Sequence, residues 1–141
     1  MSLSNMRRNG FSALELMVVL VVAGLLFAIG FPAMARMDRT MKLSGAARTL
    51  EADIHQAVST ANMRRTTYQI VWLSTTSYAI RQASPVTVIE TRTLPAGVTV
   101  AATDTARFFA WGLASPTTVT LTNPDGSTSL RILANGRVQY N

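Results

Sequence analysis

One uncharged segment constrains the fold of this chain more than any other feature. It comprises residues 16–35, which are 20 residues without a charged side chain. That length is enough to cross the hydrocarbon core of a bilayer as a helix. Because backbone amides in lipid must be satisfied within the segment itself, the segment is predicted to be helical.

A carboxylate, Glu15, lies at the start of this segment, inside an apolar run that begins at Phe11. An ionised group near the bilayer core is costly and usually has a partner and a function. No basic residue lies within one helical turn on the apolar side. The partner of Glu15 is therefore expected from another chain or from a new amino terminus made by cleavage.

The residues around this carboxylate resemble a type IV prepilin signal: Arg7 and Arg8, then Gly10 before Phe11, and Glu15 within the apolar run. The resemblance implies that a prepilin peptidase cuts between Gly10 and Phe11 and that Phe11 is N-methylated. It also implies that Glu15 pairs with the Phe11 ammonium of a neighbouring subunit during assembly. Loss of either partner would leave the other charge buried and unpaired, at a cost of roughly 3–5 kcal/mol.

A secretory signal peptide or a plain single-pass anchor is the alternative, since both combine a basic amino end with an apolar stretch. A secretory signal needs small residues at its cleavage site, and the Ala-Met-Ala of residues 33–35 fits loosely. Neither alternative uses Glu15. Ser12 and Ala13 are a mild departure from the prepilin pattern, which usually has Thr and larger apolar residues there.

The helix is predicted to continue beyond the membrane to about Arg65, with Asp53 among the residues of its polar face. Apolar residues three or four apart mark the opposite stripe of an amphipathic helix: Met34, Met37, Met41, Ala47, Leu50, Ile54, Val58 and Ala61. Pro32 is expected to interrupt the helix, because it lacks a backbone N–H. In pilin-like proteins the positions that match Gly24 and Pro32 bracket a segment that can unwind, which implies helix flexibility here.

After Thr66, short alternating runs predict strands at 68–73, 78–82, 86–93, 98–101, 107–111, 118–122, 129–133 and 137–140. In the last hairpin, a three-residue loop with left-handed Gly136 would pair Ile132 with Val138 and Leu130 with Tyr140. This register gathers the apolar side chains on one face. The predicted domains are a leader (1–10), a transmembrane half-helix (11–32), an amphipathic half-helix (33–65) and a β-rich head (66–141).

The carboxyl-terminal part resembles one branch of pilin-like proteins. Residues 109–112, a Thr-rich strand, the turn at 123–126 and the segments 130–132 and 136–138 follow in the order of the GspH/FimT-type minor pseudopilins and pilins. The resemblance implies an α+β fold, in which a long N-terminal helix packs on a β-sandwich-like head of two antiparallel sheets.

The composition of the chain favours some classes of function over others. The chain contains no cysteine, so it cannot form the C-terminal disulfide of many major type IV pilins, which favours a minor subunit. The formal charge is +6, and removal of Arg7 and Arg8 would lower it by two. No nucleophile motif or phosphate-binding loop is present, so neither an enzyme nor a cofactor is indicated. His55 and Glu51 share a helix face, but two ligands are a weak indication of a metal site.

Nucleic-acid binding is the main rival function for the head. Arg131 and Arg137 are predicted to be diagonal neighbours on the outer face of the last hairpin, and Arg64 and Arg65 end the helix. Such arginines could hold a phosphate backbone, as in pili that capture DNA. Scattered arginines also keep a β surface soluble and protect its edges, and that interpretation is favoured.

The resemblance therefore implies a minor pseudopilin of a type II secretion pseudopilus, which drives protein export. It implies a single-pass protein of the bacterial inner membrane with its head in the periplasm, and then a periplasmic filament. The implied partners are prepilin peptidase, other pilins or pseudopilins, an inner-membrane assembly platform and, before assembly, the lipid bilayer; secreted proteins or DNA are candidate cargo. The alternatives are a minor type IV pilin for pilus biogenesis or DNA uptake, and a non-assembling, membrane-anchored periplasmic binding module.

Overall fold

The computed structural model describes residues 12–141. In this part of the chain one helix, α1 (Ala13–Arg64), precedes eight strands. The strands are β1 (Tyr68–Ser74), β2 (Ser77–Gln82), β3 (Thr87–Thr93), β4 (Thr99–Ala102), β5 (Ala106–Phe108), β6 (Thr117–Asn123), β7 (Gly126–Ile132) and β8 (Val138–Tyr140). The chain divides into two compact units, Met1–Arg36 and Met37–Asn141.

Helix α1 begins at a polar cap. The Ser12 hydroxyl accepts a hydrogen bond from the backbone N–H of Leu14 at 3.3 Å, and the Ser12 carbonyl accepts from Leu16 N–H at 3.1 Å. The first bond satisfies a donor that a helix start leaves without an intrahelical partner, and the second is the first regular backbone hydrogen bond of the helix. Helix α1 continues through Pro32, and a kink at this residue stays a prediction. Unwinding between Gly24 and Pro32 on assembly stays a prediction.

The strands form two four-stranded sheets, ordered β3-β2-β1-β5 and β4-β6-β7-β8. Every strand pair is antiparallel. The prediction of an α+β fold, with a long helix packed on two antiparallel sheets, is confirmed. Alternation of buried and exposed residues explains the arrangement in β6, where Thr117, Val119 and Leu121 are buried between partly or fully exposed threonines.

The predicted register of the last hairpin is confirmed. Leu130 pairs with Tyr140 and Ile132 pairs with Val138. Gly136 has φ +75°, and its N–H donates to the carbonyl of Leu133 at 2.9 Å, which closes the three-residue loop. Leu130 and Ile132 are fully buried, so the apolar face determines which residues pair.

The core of the second unit lies between the second half of α1 and both sheets. Leu50, Ile54 and Ala61 of the predicted stripe are fully buried. The methionine part of the stripe is wrong, because Met37 and Met41 are 65% and 63% exposed. The buried face begins only at Leu43, Ala46 and Ala47. Full burial of a leucine or isoleucine contributes roughly 1.5–3 kcal/mol, so the helix is held mainly from Leu50 onward.

The predicted strand at 107–111 is too long. Strand β5 ends at Phe108, and Ala110–Gly112 forms a short 3₁₀ turn. Trp111 and Gly112 have φ +76° and +74°, which a strand cannot accommodate. The Phe109 N–H then donates to the Leu113 carbonyl at 2.8 Å, so the chain reverses direction here.

Candidate functional site

The amino-terminal half of α1 presents an apolar surface that the described chain does not cover. Among its large apolar side chains, Val22 is the least exposed at 50%, and Phe31 reaches 76%. The helix is long and apolar enough to cross a membrane, by length and composition. An uncovered apolar surface of this extent marks a region that contacts lipid or other proteins.

Glu15 lies in the first turn of α1 and is exposed. A carboxylate there interacts favourably with the positive end of the helix dipole. With Ser12 as the cap, Glu15 occupies the third helical position, which is the spacing of a capping box. Arg7, Arg8, Gly10 and Phe11 lie outside the described residues.

A buried carboxylate joins α1 to the first sheet. Asp53 is 3% exposed, so its placement on the polar face was wrong. Its Oδ2 accepts a 2.6 Å hydrogen bond from the Tyr78 hydroxyl of β2 and lies 3.3 Å from Nε of Arg92 in β3. Arg92 also pairs with Glu90, Nη1 to Oε1, at 2.9 Å. Burial and the hydrogen bond to Asp53 raise the pKa of Tyr78, which stays a neutral donor.

A second tyrosine joins α1 to the other sheet. The Tyr140 hydroxyl donates to Oε2 of Glu51 at 2.6 Å, although Tyr140 is 46% exposed. Burial and the bond to Glu51 raise the pKa of Tyr140 to about 12. His55 lies one turn further along α1, with Nε2 3.9 Å from Oε1 of Glu51. Within residues 12–141 no three His, Asp or Glu side chains are grouped closely enough to hold a metal ion.

The turn between β6 and β7 is fastened to α1 by a third contact. Asn123 donates from Nδ2 to the carbonyl of Arg39 at 2.8 Å, and its Oδ1 accepts from the N–H groups of Asp125 and Gly126. The Arg39 guanidinium in turn lies 2.6 Å from Oδ2 of Asp125. The second half of the helix is thus attached to both sheets by polar groups as well as by its apolar stripe.

The family described as "Type II transport protein GspH" matches residues 46–136, which include most of the core and most of both sheets. The chain belongs to the GspH family. No curated protein sequence matches it.

Solved structures agree on the fold of this GspH-family chain. The type IV minor pilin FimU of Pseudomonas aeruginosa (strain PAO1) is similar with a TM-score of 0.62 and 22% identity, over 74% of this chain and 92% of FimU. The minor pseudopilin EpsH from the Type 2 Secretion System of Vibrio cholerae is similar with a TM-score of 0.62 and 13% identity, over 71% of this chain and 96% of EpsH. The fold is therefore pilin-like.

The structure separates the arginines that were candidate anion contacts. Arg131 and Arg137 are exposed, on β7 and on the turn that follows it. Arg64 lines a groove beside Tyr68 and Glu90. Arg65 lines a different groove, which it shares with two arginines that were not singled out, Arg81 and Arg107. Arg81 and Arg107 come close because their strands pair on either side of β1, and this pairing is seen only in the folded structure.

Proposed function

We propose that this GspH-family chain is a minor pseudopilin of a type II secretion system. It is cleaved by prepilin peptidase between Gly10 and Phe11, behind the leader with Arg7 and Arg8, and is N-methylated at Phe11. The head then stands in the periplasm while residues 11–32 span the inner membrane. From there the subunit enters a periplasmic filament that drives protein export, in contact with other pseudopilins and the assembly platform.

The uncovered apolar surface of α1 is the observation that carries this proposal. Between Leu14 and Met34 large apolar side chains point outward on all sides of the helix, with Leu14 and Met34 both 74% exposed. A helix that is apolar all round is buried in lipid or among other helices. The same surface serves both states of a pseudopilin, first in the bilayer and then in the filament core.

Glu15 supplies a directional interaction, which the apolar surface lacks. Transfer of a helix from lipid to a bundle of apolar helices has little hydrophobic driving force, because lipid tails are as apolar as the side chains. A carboxylate at the start of the helix that pairs with the Phe11 ammonium of a neighbour adds a directional contact. That contact fixes the position of one helix along the next, while Gly24 and Pro32 allow the helix to adapt.

A minor type IV pilin is the second candidate function. It is favoured by the likeness to FimU, whose TM-score equals that of EpsH at higher identity. The same cleavage and the same role of Glu15 apply there, so the two functions differ in the machine rather than in the chemistry of the helix. A membrane-anchored binding module that does not assemble differs from both, because it would make no contacts with pilin-like proteins.

Photo-crosslinking tests whether the subunit assembles, and it identifies whether the host system is a type II secretion system or a type IV pilus. A benzophenone amino acid replaces Val18, which is 56% exposed, in cells that carry the host system. We expect adducts with other pseudopilins, identified by mass spectrometry, and their loss in Glu15→Ala. Glu51→Ala is the matched control, since it removes a carboxylate from the same helix outside the apolar segment, and it should keep the adducts. Adducts that persist in Glu15→Ala, or that contain no pilin-like protein, would contradict the proposal, and adducts with type IV pilins would assign the second function.

A further inference from the structure

Two arginines and a glutamine form a row across three adjacent strands of the first sheet. Gln69 of β1 is directly opposite Arg81 of β2 on one side and Arg107 of β5 on the other. Directly opposite residues point to the same face of a sheet, so the three side chains share one face. Two strand spacings separate the arginines, which is roughly 10 Å between their backbones.

The row is held by a hydrogen-bonded pair. Gln69 is 7% exposed, and its amide oxygen accepts from Nε of Arg81 at 2.8 Å and from Nη2 at 3.2 Å, in the amide orientation that satisfies both side chains. These bonds occupy one edge of the Arg81 guanidinium, and Nη1 is not part of them. The Arg81 side chain is thereby held in place and keeps its positive charge.

Arg65 adds a third guanidinium from the end of α1. The N–H of Thr66 donates to the carbonyl of Ala61 at 3.2 Å, and Arg65 has φ +51°, as at the left-handed residue of a Schellman helix end. Glycine normally occupies that position, because a Cβ atom there lies too close to the neighbouring carbonyl oxygen. The Arg65 guanidinium lies 5.7 Å from the ring centroid of Trp111, within cation–π distance.

These three arginines line one open groove of about 670 Å³. Thr66, Thr67 and Ser84 supply further hydrogen-bonding groups, and within the described chain no carboxylate lines the groove. Other basic residues differ, since Lys42 pairs with Asp38 and Arg92 pairs with Glu90. Concentrated positive charge without a facing carboxylate makes the groove complementary to an anionic ligand.

The rim of the groove is apolar and aromatic. Phe109 lines it, and Trp111 and Leu113 stand on the adjoining turn, 78% and 53% exposed. Trp111 is held outward in a left-handed conformation that a bulky residue rarely adopts. Tryptophan and arginine are both enriched, with tyrosine, at the energetic centres of protein–protein interfaces.

We propose that this groove binds a short acidic segment of a protein partner. Carboxylates of the segment pair with Arg65, Arg81 and Arg107, which match planar carboxylates in geometry, and an adjoining apolar side chain rests on Trp111. Nucleic acid fits less well, because affinity for a phosphate backbone grows with the number of phosphates that are neutralised and the groove supplies only three guanidinium groups. The groove lies in the head and does not involve Glu15 or the apolar half-helix, so it stands independently of filament assembly.

Fluorescence anisotropy of labelled probes tests the groove, with the full-length protein in detergent micelles. The probe is a heptapeptide of glutamates interrupted by one phenylalanine and one leucine, and its glutamine analogue is the control peptide. We expect the acidic peptide to bind at least about tenfold more tightly than the analogue, and its affinity to fall as salt is added. No saturable binding of the acidic peptide up to about 1 mM would overturn the proposal.

Three variants that each remove one positive charge locate the site. Arg107→Gln and Arg65→Gly should each weaken peptide binding roughly tenfold, while Arg48→Gln, on the exposed face of α1, should change it less than about twofold. Arg65→Gly also relieves the left-handed backbone, so its thermal stability should be unchanged or higher and a folding defect cannot explain lost binding. Equal binding in all three variants would overturn the proposal. So would a labelled thymidine hexanucleotide that binds more tightly than the acidic peptide and loses affinity in the same variants.

Discussion

The Tyr78 hydroxyl donates a 2.6 Å hydrogen bond to the carboxylate of Asp53, and both residues are almost completely buried. This bond joins helix α1 to strand β2 through two residues that lie 25 positions apart in the chain. Arg92 completes the site by placing its charge beside the same carboxylate, which raises the pKa of Arg92. The second half of α1 is thus joined to the first sheet by a buried polar group whose hydrogen bonds are made.

Two tyrosine-to-phenylalanine variants measure what burial adds to a hydrogen bond. Tyr78→Phe removes a donor from the buried Asp53 carboxylate and should lower the free energy of unfolding by roughly 1.5–3 kcal/mol. Tyr140→Phe removes a bond of the same length to Glu51 at an exposed position and should cost less than about 1 kcal/mol. Urea unfolding in micelles, followed by fluorescence of Trp72, whose ring lies 5.7 Å from Tyr78, gives both values. Equal costs in the two variants would contradict this account of burial.

Alkaline titration should detect the ionisation of Tyr140. Its pKa rises from 10.0 to about 12 in the fold, because burial and Glu51 both disfavour the phenolate. A raised pKa stabilises the fold fully below pH 10, and that contribution is lost as the pH rises from 10 to 12. Ultraviolet absorbance of tyrosinate should therefore appear near pH 12, and Tyr140→Phe should abolish that transition. In Glu51→Gln the pKa should fall only part of the way to 10.0, since burial is the larger cause.

Gly136 is the position where a single methyl group should be most damaging. It has φ +75°, and a Cβ there would lie 2.8 Å from the Gly112 carbonyl oxygen and 3.2 Å from Cγ1 of Val58. Gly136→Ala should lower the free energy of unfolding by roughly 2–4 kcal/mol, from the backbone conformation and the clash together. Gly97→Ala is the control, because Gly97 has φ +86° with open space around it. It should cost only the backbone part, about 1–2 kcal/mol, and a cost equal to that of Gly136→Ala would show that the close approach is unimportant.

Most of the fold could be predicted from the sequence, because its main elements follow from local patterns. The uncharged run predicted the helix, and alternating residues predicted the strands. In the last hairpin, Gly136 and the apolar face of Leu130 and Ile132 fixed the register, which the structure confirms. Each of these features depends on residues that lie close together in the chain.

The errors in predicted burial have one physical cause, which is that tertiary contacts decide burial. Met37 and Met41 carry the right spacing for a buried stripe, but the sheets cover α1 only from Leu43 onward. Asp53 has the composition of a solvated residue, and it is buried because Tyr78 and Arg92 reach it from two strands. Such partners are distant in sequence, and no local pattern could have identified them.

The same limit applies to the candidate sites. Glu15 could be singled out because a carboxylate within an apolar run is anomalous in sequence alone. The arginine groove could not be predicted in this way, because strand pairing brings Arg81 and Arg107 beside Gln69. The position of Arg65 depends on the left-handed backbone at the end of α1. Arg131 and Arg137 could be paired from the local hairpin pattern because they are close in sequence, and binding of DNA by them stays the untested alternative to a solvated surface role.

The mass of the amino terminus tests the central proposal most directly. The protein is extracted from membranes of a host that expresses the prepilin peptidase, and its intact mass and amino-terminal peptide are measured for the wild type and for Glu15→Ala. We expect a chain that begins at N-methylated Phe11 in the wild type, and cleavage after Gly10 in the variant as well. A chain that still begins at Met1, or one that is cut near Ala35, would contradict the proposal and indicate a plain membrane anchor or a secreted domain.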